Sequence, residues 1–330
     1  MNYFKTNEIA IVGCGYWGTN VAKTLISLKI DNFFCYDVNS ENLKTLHKRY
    51  KTIKISKNFD EILKNKSIKI IFICVPTSLH YYYAKKSLEN NKHIFVEKPV
   101  SNKSSHISNL VKIAKTKKLK LMSGYIYIYN KYINYIKKKV IDENKLGKIQ
   151  YFEFNRKNYG PIRNDVSALW DLAAHDISIL KYFYDSNIKD IRFIRTDVNK
   201  NKIYDIFNLN FKIKKIPINI NVSWLYPEKI RQINIIGNKK ILLFDELNVI
   251  NPIKIYNIFK KYPSTKDLSI KYFNPQQKIL IEKPYCPKFP KFSPLKDEIF
   301  HFLNCIKKNK DIITDGKFAL NISKDLQKFN

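Results

Sequence analysis

The feature that most constrains this chain is a glycine pattern set in a particular context. Gly13-Cys14-Gly15-Tyr16-Trp17-Gly18 closes an apolar run that begins at Glu8 and opens a second apolar stretch, residues 21–28, spaced for a helix. A strand that turns through G-x-G-x-x-G into a helix uses each glycine differently. Gly13 permits the tight turn, Gly15 lets the backbone approach a pyrophosphate, and Gly18 lets the helix pack closely, while the helix amides and dipole face the phosphates. These glycines, with Tyr16 and Trp17 between them, are candidate cofactor-binding residues. Asp37 ends the second strand-like run, roughly 20 residues beyond Gly18, where an acidic side chain accepts hydrogen bonds from an adenosine ribose. The competing reading of Asp37 is a turn residue before Asn39 and Ser40. A carboxylate at that point repels a 2′-phosphate, and no Arg follows it, so NAD is expected over NADP.

The rest of the first third keeps the same rhythm. Strands are expected at 8–13, 33–37, 53–56, 69–75, 93–97 and 120–123, with amphipathic helices between them, the pattern of a doubly wound parallel sheet. IKIIFICVP and KHIFVEKP are nearly continuous apolar runs, as strands covered on both faces should be, and belong in the middle of the sheet. After Gly124 the alternation ends. A helix near 131–144, a strand near 148–155, a loop and a helix from about Leu169 precede IRFIRTDV, YDIFNLNFKIK, IPININVSWL, KIRQINIIG and KKILLFDE, which read as an antiparallel sheet, and a helix at 295–307 follows. The expected fold is therefore α/β: an N-terminal Rossmann domain, 1–124, and a C-terminal α+β domain with an open, mainly antiparallel sheet, 125–330. The boundary rests on the change of pattern alone.

Composition narrows the function classes. Sixty basic against 28 acidic residues give +32, a balance that raises nucleic acid or an acidic membrane surface. Only six of the basic residues are Arg, however, and Arg is the residue that reads phosphates and bases bidentately. The Lys residues are spread along the chain beside abundant Ile, Asn, Tyr and Phe, a bias expected of an AT-rich coding sequence; no specific nucleic-acid partner is expected. Five cysteines without a C-x-x-C pair or zinc spacing imply reduced thiols and no metal site. No apolar stretch approaches the ~20 residues of a spanning helix, and strand-like sequence begins by Glu8, so no membrane insertion and a cytoplasmic protein are expected.

Strand five ends in Glu97-Lys98-Pro99, and ligands of doubly wound sheets bind outside the carboxyl ends of the strands. Lys98 is thereby placed for chemistry. From GCGYWG through ICVPTSLHYYYAKKSLENNKHIFVEKP and LGKIQYFEF to WDLAAHDISIL and SPLKDEIFHFL, the chain resembles the glucose-fructose oxidoreductase / inositol dehydrogenase / MocA family. The resemblance implies an NAD(P)-binding first domain, oxidoreduction of a sugar or polyol, and a second domain whose sheet carries substrate on one face and homodimer or homotetramer contacts on the other. It also implies a cis Lys98–Pro99 peptide. Carried over by position, the family's catalytic lysine falls on Lys98 and its D-x-x-x-H element on Asp171 and His175. Residues i and i+4 of a helix share a face, so Asp171 and His175 can meet one ligand. The competing readings are a first-turn acid and a core histidine.

Such chemistry needs a base for the hydroxyl proton as hydride leaves the same carbon. His175, with a reference pKa of about 6.5, suits that role better than Lys98 at about 10.4, which would polarise or relay; exchanged roles stay open. Pro76 and Thr77 are expected near the nicotinamide ribose, and His80 and Glu97 beside the cofactor. Tyr125 stands where many members carry His or Phe, and Ser178 where a second acid is frequent, with Asp176 nearby. The GYWG and WDL-x-x-HDIS forms resemble members of surface-polysaccharide and nucleotide-sugar pathways. Residues 155–165, read as a loop, hold Arg156 and Arg163 with Asn158 between them as candidate substrate residues; the two arginines would grip a diphosphate bidentately, and the competing reading is a solvated loop. An inositol or free-sugar dehydrogenase is the second reading, and a nicotinamide-binding sensor or scaffold without turnover the third.

Overall fold

The computed structural model describes residues 8–200, 202–258 and 283–330. Strands β1 (Ile9–Val12), β2 (Phe34–Tyr36), β3 (Lys54–Ile55), β4 (Ile70–Ile73), β5 (His93–Glu97) and β6 (Leu121–Gly124) form one parallel sheet in the order β3-β2-β1-β4-β5-β6. Every residue of β1 and β4 is buried, which is why these segments are apolar without alternation. The order reverses between β1 and β4, so the turns leaving them diverge and open a crevice at the carboxyl edge. Helix α1 (Tyr16–Ser27) starts on one side of that crevice and α4 (Thr77–Glu89) on the other.

The second sheet has seven strands, β13 (Ile253–Asn257), β12 (Lys240–Asp245), β11 (Leu225–Gly237), β7 (Ile149–Tyr159), β10 (Ile216–Ser223), β9 (Ile206–Ile213) and β8 (Ile188–Thr196), in that spatial order. It is mainly antiparallel, with β7 and β10 paired in parallel. The strand β7 is longer than expected and runs through Arg156 and Asn158, which the sequence reading had put in a loop. Phe152, Phe154 and Arg156 alternate onto its buried face, so a charged residue takes the third place in a row of core positions. Helix α7 (Ala174–Phe183) covers this face, entered through a π-turn at Leu169–Ala173.

The chain then returns to the first sheet. Phe302, on the helix Pro294–Lys307, packs its ring 5.7 Å from Phe72 and 5.9 Å from Phe95, and the last helix, Gly316–Gln327, is tied to α7 by Lys181 Nζ to Asp325 Oδ2 at 2.7 Å. No helix of the described residues is long and apolar enough to cross a membrane.

Candidate active site

The glycine turn has the shape its sequence requires. Gly13 has φ +90°, and a Cβ there would lie 2.7 Å from the carbonyl of Cys74; a Cβ on Gly18 would lie 1.9 Å from the oxygen of Gly13. A Cβ on Gly15 meets nothing within 4 Å, so the turn is open on the side where a pyrophosphate would approach, and α1 starts there without a side-chain cap. We expect Gly18→Ala to lose NAD binding or soluble expression altogether, since the helix would have to move off the Gly13 carbonyl and open the turn; normal NADH affinity by fluorescence titration would contradict the packing argument. Asp37 makes the contacts of the turn reading and ties the turn to the glycine loop. Its Oδ1 accepts from Asn39 N at 2.7 Å, as a turn residue would, and its Oδ2 accepts from Cys14 N at 2.6 Å and Asn42 Nδ2 at 3.1 Å, fixing the carboxylate against the glycine turn. A nicotinamide dinucleotide fits this cradle, the open glycine turn leaving room for its pyrophosphate.

Lys98 leaves the end of β5 through a cis bond to Pro99 and reaches across to the second domain. Its Nζ donates to the Asp171 carbonyl at 2.8 Å and to Asp171 Oδ1 at 3.1 Å. Arg163 Nη1 donates to the same Oδ1 at 3.3 Å, and Trp224 Nε1 to Oδ2 at 3.2 Å. Burial alone would raise the Asp171 pKa, but Lys98 and then Arg163 hold it below the usual carboxylate value. Lys98, Asp171 and His175 line one cavity of about 360 Å³, whose wall also includes Trp17, Tyr127, Arg231 and Glu246. The π-turn shifts Asp171 from the simple i, i+4 face that the sequence suggested, yet both residues still reach this cavity. A larger hollow of about 590 Å³, between α5 (Ser104–Thr116) and the last helix, contains none of these groups.

His175 is half-buried, its ring 5.0 Å from that of Tyr127 and edge-on to it, and its Nδ1 is sealed without a partner among the described residues. Burial, then the charges of Lys98, Arg156 and Arg231, hold its pKa well below 6.5, so the imidazole is neutral at neutral pH. His80 is buried with Nδ1 2.8 Å from the Pro99 oxygen and Nε2 2.8 Å from the Val75 oxygen, pinning the turn after Lys98 to the turn that carries Pro76. Glu97 is buried directly before Lys98, and burial pushes its pKa up to about 7.

Several residues expected to hold substrate are placed otherwise. Arg156 is 4% exposed and forked onto Asp176, with Nη2 2.7 Å and Nε 3.1 Å from Oδ1, while its Nη1 donates to Tyr127 Oη at 2.6 Å. Although Arg156 borders the cavity, its charge is balanced inside the protein by this fork, because a guanidinium in a core position must be paired where it stands. Asp176, 1% exposed, is its counter-charge. Arg163 is paired with Asp165, at 2.7 Å from Nη2 and 2.9 Å from Nε, and touches Thr77 Oγ1 at 3.2 Å, so it closes the loop over α4. Asn158 bonds to Gly160 O and to Arg231 Nη2. Tyr125 is 2% exposed against Phe318 and faces away; Tyr127, two residues on, is the tyrosine of the cavity.

Residues 7–125 match the family model of oxidoreductases with an NAD-binding Rossmann fold, and residues 137–243 match the GFO/IDH/MocA C-terminal domain. The chain belongs to the GFO/IDH/MocA oxidoreductase family. It is 21% identical over 192 residues to myo-inositol 2-dehydrogenase of Thermotoga maritima, covering 56% of this chain and 57% of the relative. It is 25% identical over 194 residues to glucose-6-phosphate 3-dehydrogenase of Bacillus subtilis, covering 54% of each. The match thus spans about half the length of these curated relatives. Among solved structures, UDP-N-acetylglucosamine 3-dehydrogenase GnnA of Acidithiobacillus ferrooxidans superposes with a TM-score of 0.80 at 19% identity, over 97% of this chain and 95% of that one. GenD2 from gentamicin A biosynthesis, solved in complex with NAD, superposes with a TM-score of 0.79 at 15% identity, over 99% and 94%. At such identities these two structures speak for the fold.

Proposed function

We propose that this family member is an NAD-dependent enzyme that moves a hydride between nicotinamide and a hydroxyl or keto carbon of a sugar, with a nucleotide-linked sugar of polysaccharide precursor synthesis as the favoured substrate. The observation that carries the reading is the meeting of Lys98, Asp171 and His175 in one cavity that also includes Trp17 of the glycine turn. Bound nicotinamide supplies a two-electron hydride acceptor, or the donor in the reverse direction. His175, neutral in its buried setting, takes the hydroxyl proton as the carbon loses hydride. Lys98, held in place by Asp171, stabilises the charge that develops on the oxygen. The UDP-sugar dehydrogenase among the structural neighbours supports the nucleotide-linked substrate, while the inositol relative supports a free polyol as the second reading. Cytoplasmic residence and a homodimer or homotetramer formed through the C-terminal sheet belong to the same proposal.

The deciding experiment follows NADH formation or consumption across UDP-, GDP- and dTDP-sugars, their keto forms and inositols. Turnover confined to a nucleotide sugar supports the proposal, turnover with inositols alone replaces it, and tight NAD binding with no turnover on any of them favours a sensor. The cofactor choice has its own test. In Asp37→Ala the NAD affinity should fall about tenfold or more, because a charge-assisted contact is worth ~1.5–3 kcal/mol, and discrimination against NADP should shrink. A wild-type protein that binds NADPH as tightly as NADH in fluorescence titrations would refute the role given to Asp37.

A further inference from the structure

Arg231 lies on β11 (Leu225–Gly237), directly opposite Arg156 of β7 in the antiparallel register. Two guanidinium groups facing each other across a strand pair repel. The repulsion is answered on one side only. Arg156 is forked onto Asp176, Lys98 of the same cavity is paired with Asp171, and Arg163 behind Asp171 is paired with Asp165. Arg231 instead donates to neutral oxygens, from Nη1 to the Lys157 and Ile230 carbonyls at 2.9 and 2.8 Å and from Nη2 to Asn158 Oδ1 at 2.5 Å, with no ion pair among the described residues. Three contacts fix the guanidinium plane, and of its five N–H donors they leave Nε–H and one Nη2–H unused. The side chain is half-buried and lines the same cavity as Lys98 and His175. Glu246, the nearby carboxylate, accepts from the Tyr127 hydroxyl at 2.6 Å. Burial, and then the charge of Arg156, lower the Arg231 pKa, as expected of a cation waiting for a counter-charge.

We infer that Arg231 is the receptor for an oxyanion on the substrate, so that the sugar taken by this cavity carries a phosphoryl, diphosphoryl or carboxylate group. This rests on the reading that the cavity takes a sugar, and it moves anion recognition from Arg156 and Arg163, whose charges are already paired with Asp176 and Asp165, to the arginine that has two N–H donors to spare and no carboxylate partner among the described residues. A fixed planar fork is suited to such a group, where a lysine would offer a point charge.

The test is calorimetric titration of NAD-saturated protein with UDP-N-acetylglucosamine, glucose 6-phosphate and glucuronate, beside the neutral sugars N-acetylglucosamine and glucose. At least one charged ligand should bind about tenfold or more tightly than its neutral counterpart, and which one does so identifies the oxyanion. In Arg231→Gln that preference should collapse by about tenfold with NADH affinity unchanged, and Arg231→Lys should restore part of it. Neutral sugars binding as tightly as charged ones, no measurable binding of any charged sugar, or a preference that survives Arg231→Gln would each overturn the inference. So would an equal loss for charged and neutral ligands, the mark of a merely structural role. Should the Gln variant not fold, the charged-to-neutral ratio of the wild type decides. Turnover is scored separately: a charged sugar bound through Arg231 but never oxidised or reduced would remove the hydride-transfer reading and leave this one standing.

Discussion

His175→Ala should lower kcat/KM for sugar oxidation by about 10²- to 10⁴-fold while leaving the NADH dissociation constant within about twofold, the size of effect expected when a positioned acid–base group is deleted. The imidazole owes its neutral state to burial and to the cations around it, Lys98, Arg156 and Arg231, so the wild-type profile has a definite shape. A base with a lowered pKa is active above that pKa and inactive below it. Oxidation should therefore be level through neutrality and fall on the acid side at a pH below 6.5. In His175→Ala that acid limb should disappear along with the rate. Lys98→Met should also cost activity, but by removing the ammonium that faces the developing alkoxide, so its residual activity should keep the acid limb. If instead His175→Ala turns over normally and Lys98→Met is dead, the roles are exchanged and the lysine is the base. The two variants read together separate the cases, since only the true base removes the limb.

How much of this site was legible before the structure follows from how local each signal is. The glycine turn, Asp37 and Lys98 are fixed by the ends of strands that apolar runs announce, and the six strands of the first sheet fall where those runs do. Asp171 and His175 sit close together on one helical segment, so spacing brought them to one site even though a π-turn replaces the regular helix there. Arg156 was misread because nothing in FEFNRKNY says that β7 continues past Asn155. Once it does, the two-residue period turns Arg156 inward beside Phe154, and a residue expected to grip substrate becomes a core ion. Tyr127, Arg231 and Glu246 were missed for a different reason. They meet only through the pairing of β7 with β11 and the turn after β12 (Lys240–Asp245), contacts between residues about a hundred positions apart that no short pattern encodes. Trp224, which donates to Asp171, likewise reaches the site from beyond the end of β10.

The buried arginine gives the second large effect, on stability. Asp176→Ala should destabilise the protein by about 3–5 kcal/mol, because it leaves Arg156 charged, 4% exposed and without the one carboxylate paired with it among the described residues. The guanidinium cannot shed its proton to relieve the loss, as a buried lysine could. Tyr127 Oη would remain as a neutral acceptor for Nη1, but that hydroxyl also donates to Glu246, so it replaces little of a forked ion pair. Asp176→Asn, which keeps an acceptor oxygen, should cost less. A double variant with Arg156→Met and Asp176→Leu should recover much of the stability by replacing the pair with apolar side chains of comparable reach, because desolvating both charges offsets much of what their attraction contributes. Urea unfolding of the four proteins tests the chain of reasoning. If Asp176→Ala shifts the midpoint no more than a surface substitution does, Arg156 is finding solvent or another counter-ion, and it returns as a candidate for the anion-binding role that the Asp176 pairing removes from it.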